Sequence, residues 1–474
     1  MALSERWRRM SEAGYFDRPG LHVIATDVDV DDVADLLARL SISVDAVADG
    51  YPSFSPYQNA AENLFLGHEP RRFGLVDRGR MRREAARIFA LFGLDVAPDE
   101  PLALRSEDQL LFALAKVAIQ RPSVCAVNAD RLHIASDSTI RALNHLISIG
   151  VSVVLAGAAV GDLLTRASTI TVVLLGSGDA RVAGACDPGP QAFDSVVSLL
   201  STGLAGRDVA AARSCERPDR EAEGVSDTYP IFSVSEWTIA AMPALAHPVA
   251  ARVSFDVRGG EIVALSGYGS RELALSLFGS SMGPAISGQV VLKRSSDGPS
   301  TDVSSLTASQ AISAGISYGS ESPLTYDVGL LGGIPTSVSG ATVKRLAASG
   351  VIDRRRAYRM SRKVLAPTLR GGENPGAFTD VLRSWSSAGP EVVILDEPFV
   401  SDRLARITAV REIAARGACV LIVSSRPADI AASADLLLLS SSGSLRDVVP
   451  LSRISSESLI GQVLRARLRK TPPL

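Results

Sequence analysis

Asp396 and Glu397 are the residues of this chain whose type and placement best suit chemistry on a phosphoryl group. They follow Val392 to Leu395, four apolar residues that read as a fully buried strand of a parallel sheet, and Pro398 ends the run. Open α/β sheets place their ligands at the carboxyl ends of strands. One carboxylate there can hold Mg²⁺, directly or through water, and the next can orient a water for attack. The same stretch also reads as a buried strand that closes in a solvated acidic turn.

Other elements must position that pair. A strand at Glu261 to Leu265 leads into the turn Ser266-Gly267-Tyr268-Gly269-Ser270-Arg271-Glu272 and an apolar-periodic helix. A phosphate-binding turn needs glycines, so that successive N–H groups can surround the anion, and a cation. Gly267, Gly269, Ser270, Arg271 and Glu272 are candidates for that role, with Arg271 as the cation. An ordinary tight strand-to-helix turn is the competing reading. The strand Ala418 to Val423 delivers Ser424 and Ser425 to the same sheet edge.

The N-terminal half repeats this order with different chemistry. The strand Leu21 to Thr26 is followed by Asp27, Asp29, Asp31 and Asp32 and then by the helical pattern VADLLARLSI. Four carboxylates would repel a triphosphate but make a good helix N-terminus. In SVCAVNAD, Asn128 and Ala129 stand where the later half has Asp396 and Glu397. An amide weakens the charge on a metal, and Ala cannot orient water. GLVDR at Gly74 is echoed by GVIDR at Gly350, 276 residues on, and the Asn128–Asp396 spacing of 268 is close to this. The chain is therefore a tandem duplication. The opening strands are only 240 residues apart, so the first copy lacks about 36 residues between its turn and its later helix. Much of an antiparallel β layer is expected to be missing there.

Length and composition fit this reading. A chain of 474 residues is too long for one core. Expected domains are 1–202 and 233–474, joined by a charged, small-residue-rich and partly helical linker at 203–232. A net charge of −2 gives no basic field for nucleic acid. Cys125, Cys186, Cys215 and Cys419 have no metal or disulfide spacing, and Cys125 and Cys419 read as small buried hydrophobes. No apolar run approaches the roughly 18–20 residues of a membrane span. The N-terminus also lacks the apolar core of a signal peptide. Any membrane association is then expected to run through a partner protein.

Ala61-Glu62-Asn63-Leu64-Phe65-Leu66-Gly67 and the helix from Asp77-Arg78 occur in an order and spacing that resemble the ATP-binding subunits of ribose-type bacterial sugar ABC importers. These carry two fused ABC domains. The resemblance covers about Leu21 to Leu445. It implies two tandem ABC-type (P-loop NTPase-like) α/β domains with mostly parallel sheet cores and helical subdomains, the first shortened. It further implies ATP and Mg²⁺ as cofactors, Asp396 on the metal and Glu397 acting on water. The nucleotide would meet Gly267, Gly269, Ser270, Arg271, Glu272, Ser425, Asp402 of the D-loop, and Gly371 and Gly372 of the signature. Integral-membrane permease subunits and an extracellular sugar-binding protein are the implied partners, with a cytoplasmic location at the inner face of the plasma membrane.

Several motifs depart from the family's pattern. The glycine turn at Gly267 is short by about three residues, and no GxxxxGK[ST] occurs, which also argues against an unrelated P-loop kinase. Arg105 and Arg370 replace the signature serines, Glu107 a signature glycine, and Ala158 the switch histidine. Pro375 and Gly376 are expected to shift or break the helix after the second signature. Hydrolysis is expected to be weak or absent. The alternative is a non-catalytic pseudo-ATPase, a scaffold or regulator acting through a permease or a competent ABC paralogue.

Overall fold

The computed structural model describes residues 19–468, except positions 29, 31, 49–54, 56–57, 103, 105, 131–136, 176–179, 206–229, 242–247, 280–281, 294–299, 321–324, 331–333, 340–346, 349–350, 353–374, 388, 401 and 442. The first unit opens with β1 (Leu21–Thr26), whose six residues are all buried, as its apolar run dictates. Helix α1 (Val33–Arg39) follows, with Asp32 as N-cap, its carboxylate accepting the Asp35 N–H. Next come β2 (Ala46–Ala48), α2 (Ala60–Leu64), β3 (Arg71–Arg72), β4 (Leu75–Val76) and α3 (Arg78–Phe92). Helix α3 is capped by Asp77, buries Met81, Ala85, Phe89 and Phe92 on one stripe, and stops at left-handed Gly93. Then follow α4 (Ser106–Gln120), β5 (Val124–Asn128), α5 (Asp137–Ser148), β6 (Ser152–Gly157), β7 (Thr169–Leu175), β8 (Ala180–Cys186) and α6 (Ala192–Ala205).

The second unit begins with β9 (Pro230–Ala241) and β10 (Pro248–Arg258), then β11 (Ile262–Tyr268) and the short α7 (Ser270–Ser276). After β12 (Ala285–Lys293) and β13 (Ser300–Asp302) come α8 (Ala308–Ser313) and β14 (Ile316–Ser320). Two hairpin pairs follow, β15 (Thr325–Leu330) with β16 (Ile334–Ser339) and β17 (Ala347–Ala348) with β18 (Val351–Ile352). The chain continues through α9 (Pro375–Ser387), β19 (Val392–Asp396), α10 (Arg403–Ala415), β20 (Cys419–Val423) and α11 (Pro427–Ser433). It ends in β21 (Leu436–Ser441), β22 (Ser444–Pro450) and α12 (Ser456–Leu468).

The duplication is visible in the sheets. The first runs β2-β5-β6-β1-β7-β8 and the second β14-β19-β20-β11-β21-β22, each parallel except for its last strand. The small pairs repeat as well: Arg71↔Val76 and Arg72↔Leu75 have counterparts Ala347↔Ile352 and Ala348↔Val351, 276 residues on. Among the described residues only the second unit has the antiparallel layer β10-β9-β12-β13, so the first unit is the shortened one.

Helix α12 ties the units together. Ile460, Leu464 and Leu468 lie in the first unit's core, while Leu459 and Val463 lie in the core around β19 and β20. Arg465 pairs with Asp194 of α6 at 2.7 Å.

One expectation needs correction. The helix after the second signature is not broken: α9 starts at Pro375 itself. A first helical position has no intrahelical use for an N–H, so proline fits there without loss. Residues 203–205 complete α6 and 230–232 open β9. Positions 206–229 lie outside the described residues. Cys125 and Cys419 are buried, and burial pushes both thiols up to about 12. Among the described residues, no helix is long and apolar enough to cross a membrane.

Candidate functional site

The carboxyl ends of β11, β19 and β20 converge, because parallel strands of one sheet must expose their following turns at one edge. Gly267 ends this part of β11 at φ 118°, and a Cβ there would lie 2.0 Å from the Ser440 carbonyl oxygen. Gly269 at φ 83° then lets the chain enter α7. This turn sets Arg271 over β19, and its Nε donates to Asp396 Oδ2 at 2.8 Å. Asp396 is buried, and Ser320 Oγ donates to the same oxygen at 3.4 Å. Beside them the Tyr318 hydroxyl is buried next to Asp396 and Arg271. Burial, followed by the Asp396 charge, raises its phenol well above the ordinary range.

Glu397 is held differently. It sits at φ 42°, its N–H donates to the Val423 carbonyl at 3.0 Å, and its Oε1 accepts the Ser425 N–H at 2.7 Å. Burial raises its carboxyl to about 6, against the Ser425 hydrogen bond and the Arg467 charge, which lower it. The two carboxylates thus serve different neighbours. Asp396 faces a guanidinium, and Glu397 braces the loop after β20.

These groups line a cavity of about 490 Å³, within the usual range for small-molecule sites. Gly267, Gly269, Ser270, Arg271, Glu272, Asp396, Glu397 and Ser425 are brought together there as the sequence suggests. Asp402 is not among them. It sits at φ 47° before α10, against a separate hollow with Arg383 and Glu412. Gly371 and Gly372 lie outside the described residues.

The far wall is formed by Val28, Asp130 and Ala159 of the first unit. An ABC-type pair would set a signature helix opposite these turns. Here the described wall is instead the first unit's own β1 turn and the ends of its β5 and β6. Asp130 explains the closed shape of that unit's edge: its Oδ2 accepts from Val30 N–H and its Oδ1 from Ala159 N–H, both at 2.8 Å. Asn128 donates to the Val30 carbonyl at 2.7 Å and accepts the Asp130 N–H at 2.9 Å. The Asn128 amide therefore holds the loop. Asp27, buried and accepting the Leu175 N–H, has its carboxyl raised, mainly by burial.

Sequence reasoning missed Asp130, Tyr318 and Arg467 as site residues. Asp130 directly follows the altered Asn128-Ala129 pair, which was the available signal. Arg467 had none: it comes from α12 and donates to the carbonyls of Asp27 and Ser425, joining the two units across the cavity.

A resident Mg²⁺ does not fit this arrangement. The Asp396 oxygen that would take it already accepts from the Arg271 guanidinium at 2.8 Å, and two cations cannot share it at low cost.

An L-arabinose transport ATP-binding protein of Geobacillus stearothermophilus is 24% identical over 88% of this chain and 81% of its own. A ribose import ATP-binding protein of Rhodopirellula baltica is 27% identical over 88% and 81%, respectively. The chain resembles sugar-import ATP-binding subunits along most of its length. A xylose import ATP-binding protein of Thermoanaerobacter pseudethanolicus, 23% identical over 85% of this chain and 80% of its own, extends the set. No family model matches the chain. The tandem α/β architecture with two ABC-type units agrees with these relatives.

Proposed function

We propose that this chain is the nucleotide-binding subunit of a bacterial sugar ABC importer whose ATP hydrolysis is weak or absent. The observation that carries it is the Arg271–Asp396 ion pair, which puts a side-chain cation where the resemblance would put Mg²⁺. Asn128 and Ala129 remove the corresponding chemistry from the first unit. The subunit would sit at the cytoplasmic face of integral-membrane permease subunits that receive a sugar from an extracellular binding protein. That assignment rests on the likeness to sugar-import ATP-binding proteins at 23–27% identity.

A second reading, a pseudo-ATPase acting as scaffold or regulator through a permease or a competent paralogue, is favoured by the charge of the cavity. Arg271, Arg426 and Arg467 face Asp130, Glu272, Asp396 and Glu397, so the lining has no excess of cations for a triphosphate.

Calorimetry and turnover with ATP, with and without Mg²⁺, test both readings on the wild type and on Arg271→Ala, Asp396→Asn and Glu397→Gln variants. The expected outcome is wild-type turnover no faster than Glu397→Gln, with no gain from Mg²⁺. Arg271→Ala frees the Asp396 carboxylate and should make ATP binding Mg²⁺-dependent, a gain absent from Arg271→Ala/Asp396→Asn. Turnover of about 1 s⁻¹ or more, abolished by Glu397→Gln, would refute lost hydrolysis. An absence of binding heat at millimolar ATP in every variant would leave the scaffold reading.

A further inference from the structure

The first unit carries a surface that nucleotide chemistry does not use. Strands β3 and β4 pair across the two-residue turn Phe73-Gly74. Phe73 is 92% exposed and Leu75 77%, and Val76 and Leu66 are exposed beside them. Both turn residues have positive φ, 52° at Phe73 and 81° at Gly74. Asn-Gly fills such a turn readily, whereas a bulky aromatic is an outlier there. Strained positions of this kind gather at functional sites. Nothing lies within 4 Å of a Cβ built on Gly74, so the tip is open to solvent. The Arg72 guanidinium lies 5.4 Å from the Phe73 ring centroid.

The duplication supplies an internal comparison. β17 and β18 make the same strand pairing from Ala347-Ala348 and Val351-Ile352, and Ser349-Gly350 stand between them in the sequence. The pairing therefore forms without the arginines and the aromatic of Arg71-Arg72-Phe73, and fold stability does not account for them. Residues 71–84 hold arginines at 71, 72, 78, 80, 82 and 83, all exposed. Arg80 pairs with Glu84 and Arg82 with Asp99, both at 2.7 Å, and Arg78 lies 4.0 Å from Glu62, so the cationic flank of the tip is carried chiefly by Arg71, Arg72 and Arg83.

We propose that this hairpin docks on an anionic lipid surface, seating Phe73 and Leu75 among the headgroups and upper acyl chains while the arginines of the hairpin and α3 meet lipid phosphates. An apolar tip with a cationic flank supplies the two signals that stable peripheral binding needs. The aliphatic Leu75, Val76 and Leu66 fit acyl chains, whereas a nucleic-acid platform would present several stacking aromatics. The site is independent of nucleotide and of the cavity, so it stands or falls apart from the function proposed above.

Sedimentation of the full chain with vesicles of phosphatidylcholine and phosphatidylglycerol (about 7:3) tests it, beside pure phosphatidylcholine vesicles and a labelled RNA. Expected are binding to the anionic vesicles only, a loss of tenfold or more in Phe73→Ser/Leu75→Ser, and about fivefold per charge in Arg71→Gln and Arg72→Gln. Both sites are exposed, so unchanged circular dichroism is expected of the variants. Phe73→Trp should show a blue-shifted difference emission on the anionic vesicles and quenching by brominated acyl chains. Three outcomes overturn the proposal: no vesicle binding, vesicle binding unchanged in Phe73→Ser/Leu75→Ser, or RNA retention that depends on the arginines while vesicles are ignored.

Discussion

The Asp396–Glu397 pair shows how two adjacent carboxylates acquire different roles from their partners alone. Asp396 meets Arg271 and Glu397 meets the Ser425 N–H. The consequence for Glu397 is measurable. Its carboxyl is raised from 4.5 to about 6, chiefly by burial, so the native state keeps its proton longer than the unfolded chain does. This contribution to stability is present below pH 4.5 and is lost as pH climbs through about 6. Glu397→Gln keeps an oxygen for the Ser425 N–H and removes the buried charge. It should stabilise the protein by about 2 kcal/mol at pH 7.5, with the gain shrinking towards zero near pH 4.5. Urea unfolding at the two pH values decides it; a gain independent of pH would mean that the carboxylate is not desolvated.

At the scale of elements, the turn after β19 is held by α10. Arg406 is fully buried and donates to Thr379 Oγ1 of α9 and to the Pro398 carbonyl, both at 3.0 Å, with its guanidinium 5.0 Å from the Phe378 ring centroid. Helices α9 and α10 are thereby pinned to the acidic turn. Arg406→Ala would strand two buried acceptors and should cost about 3 kcal/mol or more. Denaturant midpoints measure this. Arg252→Ala, which removes an ion pair to Glu236 between two exposed side chains, should cost far less. Equal costs would show that Arg406 does not brace the turn.

At the scale of the molecule, α12 is shared property. Residues four apart, Ile460, Leu464 and Leu468, complete the first unit's core, and the adjacent stripe, Leu459 and Val463, completes part of the second. A division of the chain at 203–232 therefore separates the first unit from one of its own core elements. Residues 1–202 expressed alone should expose the α6 surface and bind a hydrophobic dye or aggregate, and co-expression with 203–474 should rescue a folded complex. A well-folded, monomeric 1–202 fragment with native-like cooperative melting would contradict this dependence.

Local signals were enough for much of this. Apolar runs with acidic or glycine-containing ends located β1, β5, β11 and β19, because a buried parallel strand must be apolar on both faces. The offsets between repeated motifs revealed the duplication and the missing β layer, since deleted residues shift spacing without altering strand order. The Asn128-Ala129 pair and the short turn at Gly267 were legible as departures from the pattern of the family the chain resembles. Pairings between segments far apart in sequence were not. That Arg271 would bond Asp396, that Asp130 would tie Val30 to Ala159, and that Arg467 would reach two carbonyls across the units depend on backbone placement 29 to 440 residues distant. The sequence by itself determined which groups were available and which strands carried them. The tertiary structure alone decided their partners, because charge and hydrogen-bond pairing act over a few ångströms in space, a distance that no spacing along the chain encodes.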